Sequence, residues 1–262
     1  MKIWLNDRLV DEGSSEATLP LNDRSFLLGE GVFETILTLG AKPVALDRHI
    51  ARLRHGAHSL GFSCPSNDAI AEAVTSLLQS TSDINVGRMR ITLSASSTFL
   101  ITHQGYTEWS EPAGLVTYPF PFNAKSPLQK IKSTSYGEYL HAFRYAKERK
   151  ADDALLFNTQ DLVMEASTAN VIALIGGRWV TPPLSAGPLP GITRELLIEW
   201  GLLTERELLF EELQRCESVA LISSLRSIQP VSEINGRKYK SSGKIEELAT
   251  SYKGTLASNL NP

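Results

Sequence analysis

The chain has 262 residues, 42% of them apolar and 21% charged, with a formal net charge of −3. This is ordinary for a soluble globular protein with room for one large core or two smaller ones. Neither charge sign runs in blocks, so nucleic acid and anionic membrane are excluded as expected partners.

Two short alternating runs between Lys2 and Val10, turned at Asn6-Asp7, predict a hairpin. Met1 to Asp7 is too poor in apolar residues for a signal peptide, and no 18-residue apolar stretch follows. Gly29 to Leu39 predicts a strand. A helix is expected from Asp47 to Gly61, with Ile50, Leu53, Ala57 and Leu60 on one buried face. Ser66 suits the cap of a second helix through Ile70, Val74 and Leu77-Leu78. From Arg88 to Ala95 the pattern alternates, placing Arg88 and Arg90 on the polar face of a half-buried strand.

The proline-punctuated stretch Pro119-Phe120-Pro121-Phe122-Asn123 reads as a linker. It divides the chain into a smaller domain at 1–118, a linker at 119–127 and a larger domain at 128–262. Beyond it, a helix is predicted over Tyr136 to Arg149, with Tyr139, Leu140, Phe143 and Ala146 on one side. Strands are predicted at Ala154–Phe157, Asn170–Ile175, Trp179-Val180 and Val219–Ser223. Helices are predicted from Ile192-Thr193, near Glu211–Arg215 and from Lys244 to Leu256. Interleaved strands and helices without repeats define an α+β protein of two mixed domains. Cys64 and Cys216 lie far apart and outside any Cys-x-x-Cys pattern. No disulfide framework and no metal site are expected, and a cytoplasmic location suits the chain.

Lys132 follows an apolar residue and precedes Ser133-Thr134-Ser135-Tyr136. Glu165 is a lone charge between Leu162-Val163-Met164 and Ala166-Ser167-Thr168-Ala169. Gly191-Ile192-Thr193-Arg194 opens an amphipathic helix after Pro188-Leu189-Pro190. Each has an ordinary reading, as a solvated lysine, a turn carboxylate and a turn glycine. Together they supply what pyridoxal 5′-phosphate requires: an amine for its aldehyde, an anion for its pyridinium, and unpaired backbone N–H groups for its phosphate. The Tyr136 hydroxyl is then a donor for the phenolate oxygen. Arg52 and Ser224 are further polar candidates.

In that order, these residues resemble the fold-type IV pyridoxal-phosphate enzymes, the class-IV aminotransferase family, over nearly the whole chain. Asn22-Asp23-Arg24-Ser25-Phe26-Leu27-Leu28-Gly29-Glu30-Gly31-Val32-Phe33-Glu34-Thr35 is similar to its N-terminal signature. Leu46-Asp47-Arg48-His49-Ile50-Ala51-Arg52-Leu53 is similar to its phosphate-binding helix. The resemblance implies a two-domain fold with the cofactor between the domains, Lys132 as the Schiff-base lysine, and Glu165 on the pyridine nitrogen. Asn170 matches the asparagine five residues after that carboxylate. Ile192, Thr193, Ser224 and Arg52 take the phosphate. It also implies a homodimer.

Within the family, Val32-Phe33-Glu34-Thr35-Ile36 and Ser223-Ser224-Leu225-Arg226-Ser227-Ile228-Gln229-Pro230-Val231 resemble the 4-amino-4-deoxychorismate lyases. The second run resembles their Asn-Ser-Leu-x-Gly-Ile-x-Pro-Val, with Ser223 and Ser227 at the asparagine and glycine positions. Two departures stand out. The strand after Arg90 lacks a Thr-Arg-Gly run, and Lys150 stands where a helix-ending glycine is usual. The lyase reading expects Lys132 to remove the proton from the amine-bearing carbon of a small-molecule amine substrate, and Thr35 to protonate or position the leaving group. Phe33, Arg88, Arg90 and Leu225 are then substrate contacts, the arginines for carboxylates. Pyruvate and 4-aminobenzoate, a folate precursor, are the products. The alternative is an aminotransferase for D-amino acids, branched-chain amino acids or R-amines with a 2-oxo acid acceptor.

Overall fold

A computed structural model describes every residue except Ser241. The chain forms two units: Met1–Thr107, Ile131–Tyr136 and Asn259–Pro262 in the first, Glu108–Lys130 and Gly137–Ser258 in the second.

The first unit contains β1 (Lys2–Leu5), β2 (Arg8–Asp11), α1 (Arg24–Leu28), β3 (Gly31–Leu39) and β4 (Lys42–Pro43). It continues with α2 (Leu46–Ser59), α3 (Asn67–Ser80), β5 (Val86–Ser94) and β6 (Phe99–Gly105). Its strands pair antiparallel in the order β2-β1-β6-β5-β3-β4. The predicted hairpin turns at Asn6, whose φ is +59°. Ser66 caps α3, its hydroxyl accepting the Ala69 N–H at 3.2 Å.

Alternation along the strands separates two sheet faces. Val32 and Ile36 of β3, Met89, Ile91 and Leu93 of β5, and Ile101 of β6 pack against Ile50, Leu53 and Ala57 of α2 and Ile70, Val74 and Leu77 of α3. Each fully buried Ile or Leu contributes roughly 1.5–3 kcal/mol to folding. The opposite face carries the cross-strand pairs Phe33–Thr92, Thr35–Arg90 and Leu37–Arg88. Lys132 lies beside β3, where the Phe33 N–H donates to the Lys132 carbonyl (2.8 Å) and the Thr134 N–H to the Gly31 carbonyl (2.9 Å).

The second unit contains β7 (Ala113–Thr117), α4 (Gly137–Glu148), β8 (Asp153–Phe157), β9 (Val163–Ala166), β10 (Asn170–Ile175) and β11 (Arg178–Thr181). It continues with α5 (Ile192–Glu199), β12 (Thr204–Glu205), α6 (Phe210–Arg215), β13 (Ser218–Ser223), β14 (Ser227–Ile234), β15 (Arg237–Lys238) and α7 (Gly243–Ser258). The sheet order is β12-β11-β10-β13-β14-β7-β8-β9, with β15 on β14. β7 lies parallel to both β14 and β8. Leu155 faces one core, with Val171, Val219 and Leu221. Its neighbours Ala154 and Leu156 face another, with Ala142, Ala146 and Met164.

Two expectations differ from the structure. The stretch 119–127 is not where the units part, because β7 already hydrogen-bonds into the second sheet and the Phe122 N–H donates to the Phe157 carbonyl (2.8 Å). The chain also rejoins the first unit at Ile131–Tyr136. In α4 the buried stripe is Ala142 and Ala146, with Tyr139 half-buried and Leu140 exposed. Leu140 sits about 100° around the helix from Tyr139. Among the described residues no helix is long and apolar enough to cross a membrane.

Candidate active site

In the first unit, Glu34 is the one charged residue of β3 and is fully buried on the face that meets α2. Arg52, two turns into α2, donates from Nε to Glu34 Oε1 (2.7 Å) and from Nη2 to Oε2 (2.6 Å). His49 Nδ1, one turn earlier, donates to Glu34 Oε2 at 2.7 Å. Burial opposes the Glu34 charge, but the Arg52 guanidinium and the His49 contact outweigh it and hold the carboxyl at about 2. The His49 imidazole is pushed down by burial, against the pull of Glu34 and with the help of the nearby Arg52 and Lys132 charges. It is therefore neutral, with its proton on Nδ1. Glu34 fixes the planar fork of Arg52 in one orientation.

On the other sheet face, the Arg90 guanidinium lies 3.8 Å from the Phe33 ring centroid and the Lys132 Nζ 4.7 Å from it. Tyr136 meets Phe33 edge-on, with centroids 5.4 Å apart. Phe33, Arg90, Lys132 and Tyr136 thus form one group, with half-buried Thr35 opposite Arg90 in register. Arg88 is exposed and belongs elsewhere: with the Gln104 amide oxygen turned toward β5, Arg88 Nε donates to it at 3.0 Å.

In the second unit, Glu165 is buried on β9. It accepts from the Tyr139 hydroxyl (3.0 Å), from Asn170 Nδ2 (3.1 Å) and from the Leu189 N–H (3.1 Å). Asn170 Nδ2 also donates to the Leu189 carbonyl at 2.9 Å, which ties β9 and β10 to the chain leading into α5. Gly191 caps α5 without any side-chain hydrogen bond to the helix start. A Cβ there would stand 2.0 Å from Asn170 Oδ1, so only glycine permits this approach. Ile192 and Thr193 are buried at that start, and the Thr193 hydroxyl meets the Tyr252 hydroxyl at 3.3 Å.

Ser224 and Leu225 occupy the turn between β13 and β14, closed by the pair Ser223–Ser227. Behind it the buried Arg226 donates from Nη2 to Asp153 Oδ2 (2.9 Å) and to the Thr168 hydroxyl (2.9 Å). Its guanidinium also lies 4.5 Å from the Trp109 ring centroid. Glu34, His49 and Tyr139 were not among the sequence candidates. The Glu34 signal was present, a single carboxylate inside an apolar strand opposite an arginine-bearing helix. Tyr139 was hidden because an apolar stripe assigns its ring and not its hydroxyl.

The sequence matches the model of the amino-transferase class IV family over residues 31–234. The chain belongs to that family. It is thereby an enzyme, and the family depends on pyridoxal 5′-phosphate. A Schizosaccharomyces pombe protein provisionally named as an aminodeoxychorismate lyase is 32% identical, the alignment covering 75% of this chain and 87% of that protein. A D-alanine aminotransferase of Bacillus licheniformis is 27% identical over 90% of this chain and 89% of its own. The same fold occurs in the pyridoxal-phosphate-bound form of a hypothetical aminotransferase from Mycobacterium tuberculosis, with TM-score 0.90, 20% identity, and 99% and 100% of the two chains covered.

The donor set of this class IV chain fits the cofactor. It has a primary amine at Lys132, a buried carboxylate held as an acceptor at Glu165, and a half-buried, oriented guanidinium at Arg52. At Gly191 it has a helix start whose close backbone packing a Cβ would block.

Proposed function

We propose that this enzyme is a pyridoxal-phosphate-dependent 4-amino-4-deoxychorismate lyase, releasing pyruvate and 4-aminobenzoate. The observation that carries the reading is the β13–β14 turn. Ser227 has a φ of +52°, the left-handed backbone that glycine favours. The lyase-like pattern has glycine at this position. A left-handed backbone where that pattern carries glycine supports the lyase reading.

When bound, the cofactor supplies an electron sink for charge developing at the substrate carbon that bears the amine. Lys132 would hold the aldehyde through Nζ, and its amine is assigned to take the proton from that carbon. Glu165, kept an acceptor by Tyr139, Asn170 and the Leu189 N–H, is assigned to the ring nitrogen. Arg52, the N–H groups of Ile192 and Thr193, and Ser224 are assigned to the phosphate, and Tyr136 to the phenolate oxygen. Arg90 is assigned to a substrate carboxylate, with Phe33 beneath its guanidinium as a platform. Thr35, opposite Arg90, protonates or positions the departing three-carbon group. Leu225 borders the substrate.

An aminotransferase reading keeps Lys132, Glu165, Arg52 and Thr193 in these roles, and the D-alanine aminotransferase likeness over 90% of the chain favours it. The two are separated by incubating the holoenzyme with aminodeoxychorismate, and in parallel with D- or L-amino acids plus 2-oxoglutarate. We expect 4-aminobenzoate in the first mixture. Amine transfer in the second, with no 4-aminobenzoate in the first, would overturn the lyase assignment. A visible absorbance band of the holoprotein, lost in Lys132→Ala, is the expected sign that Lys132 holds the cofactor.

A further inference from the structure

The start of α2 is capped from more than two hundred residues away. Ala45, the N-cap, is in the left-handed region with a φ of +52° and offers no side-chain acceptor to the helix. The first N–H groups of a helix have no partners within it. Here the chain after α7 supplies one for the Asp47 N–H and also pairs the cap residue and the Arg48 side chain. The Ala45 N–H donates to the Leu260 carbonyl (2.6 Å), and the Asp47 N–H donates to Asn261 Oδ1 (3.1 Å). Asn261 Nδ2 returns a hydrogen bond to Asp47 Oδ2 (2.8 Å), and Arg48 Nε donates to the Pro262 carbonyl (2.8 Å). An asparagine oxygen on the second helical N–H is what a good N-cap supplies, and the return bond to Asp47 makes the contact reciprocal.

This first turn leads directly into His49 and then Arg52, the two residues that converge on Glu34. The fork that Glu34 orients is carried on the helix that this first turn begins. We propose that Asn261 is a positioning residue for the cofactor phosphate: it winds the α2 start and so sets His49 and Arg52. The inference rests on the assignment of Arg52 to the phosphate.

The test titrates apoenzyme with pyridoxal 5′-phosphate and, separately, with pyridoxal, which lacks the phosphate. Asn261→Ala is expected to weaken binding of the phosphorylated form about fivefold, the effect of losing one helix cap of ordinary strength. Pyridoxal binding is expected to stay unchanged. Asn261→Asp faces Asp47 with a second carboxylate and is expected to weaken phosphate-dependent binding as well. Combining it with Asp47→Asn restores the reciprocal pair with the roles exchanged, and is expected to restore affinity. An Asn261→Ala variant that binds both compounds as the wild type does, or that weakens both equally, would overturn the proposal. Arg52→Gln separates the two layers. If it abolishes the preference for the phosphorylated form while Asn261→Ala does nothing, the cap role alone fails. If it leaves that preference intact, the phosphate assignment of Arg52 fails and takes the cap role with it.

Discussion

At the residue scale, the first unit holds its charges by pairing them in the dry face of a sheet, and this makes its stability acid-sensitive. His103 is buried between two threonines, with Nε2 2.8 Å from Thr38 Oγ1 and Nδ1 2.6 Å from Thr81 Oγ1. Thr81 spends its own hydroxyl proton on the Leu77 carbonyl, so it accepts from Nδ1–H, and Nε2 accepts from Thr38. That arrangement needs a neutral ring, and burial lowers the His103 pKa as it lowers that of His49. Both folded values lie below the ordinary value near 6.5, so the unfolded chain binds these protons first and stability falls as pH drops through about 6.5. Glu34 adds a second stage. It is held at about 2 instead of 4.5, so its contribution is complete above pH 4.5 and is lost as pH falls towards 2. Urea midpoints measured from pH 8 to 3 are expected to decline in these two steps, with the upper one reduced in His103→Gln. The two arginines of β5 are expected to behave differently. Arg90→Lys, losing both fork and ring stacking, should raise KM for a carboxylate substrate roughly tenfold or more, whereas exposed Arg88→Lys should change it less than twofold, as steady-state kinetics will report.

At the element scale, caps and left-handed turns decide where helices begin and end. The departure at Lys150 is resolved by its conformation: φ is +59°, and its N–H donates to the Lys147 carbonyl at 3.0 Å, closing the end of α4. A non-glycine residue is strained there. Lys150→Gly is expected to stabilise the protein by about 0.5–1 kcal/mol, the strain relieved less the chain entropy glycine adds back. A thermal melt should show this as a rise of roughly 1–4 °C. Several elements were not legible in the sequence for related reasons. β14 contains Pro230, which pairs with Ala220 but cannot donate to the ladder. β9 has four residues, too few for a period to emerge. α1 exists because Asp23 accepts the Phe26 N–H (3.0 Å) and also the Ser94 and Thr98 hydroxyls, contacts more than seventy residues away.

At the scale of the whole molecule, Leu21, Phe26, Leu27 and Leu28 lie within one short stretch of the first unit and are 57% to 91% exposed. Large apolar side chains grouped in this way mark an interaction surface. A second copy of the chain is the proposed occupant, in keeping with the homodimer that the family resemblance implies. Light scattering is expected to give twice the chain mass of 28.8 kDa, and Phe26→Asp with Leu27→Asp should halve it. A monomeric wild type at tens of micromolar would rule the dimer out.

The sequence by itself determined the family, the mixed class and the candidates, because these depend on residue types in a fixed order and on periodicities of about 2 and 3.6. A lone Glu165 among small apolar residues left a turn carboxylate and a buried one both open, whereas Gly191 before Ile192-Thr193 already marked a helix start. Tertiary structure alone decided which charges meet. Glu34 reaches Arg52 across a strand–helix contact, and Tyr139 reaches Glu165 from a helix to a strand. Asn261 caps a helix that begins 215 residues earlier, at Leu46. Arg88 and Arg90 are equivalent in the alternating pattern, yet only Arg90 stacks on Phe33. Register within a sheet places both on one face, but what covers each is set by neighbours remote in the chain. Hydrogen bonds act over about 3 Å in space and carry no trace of their span in sequence.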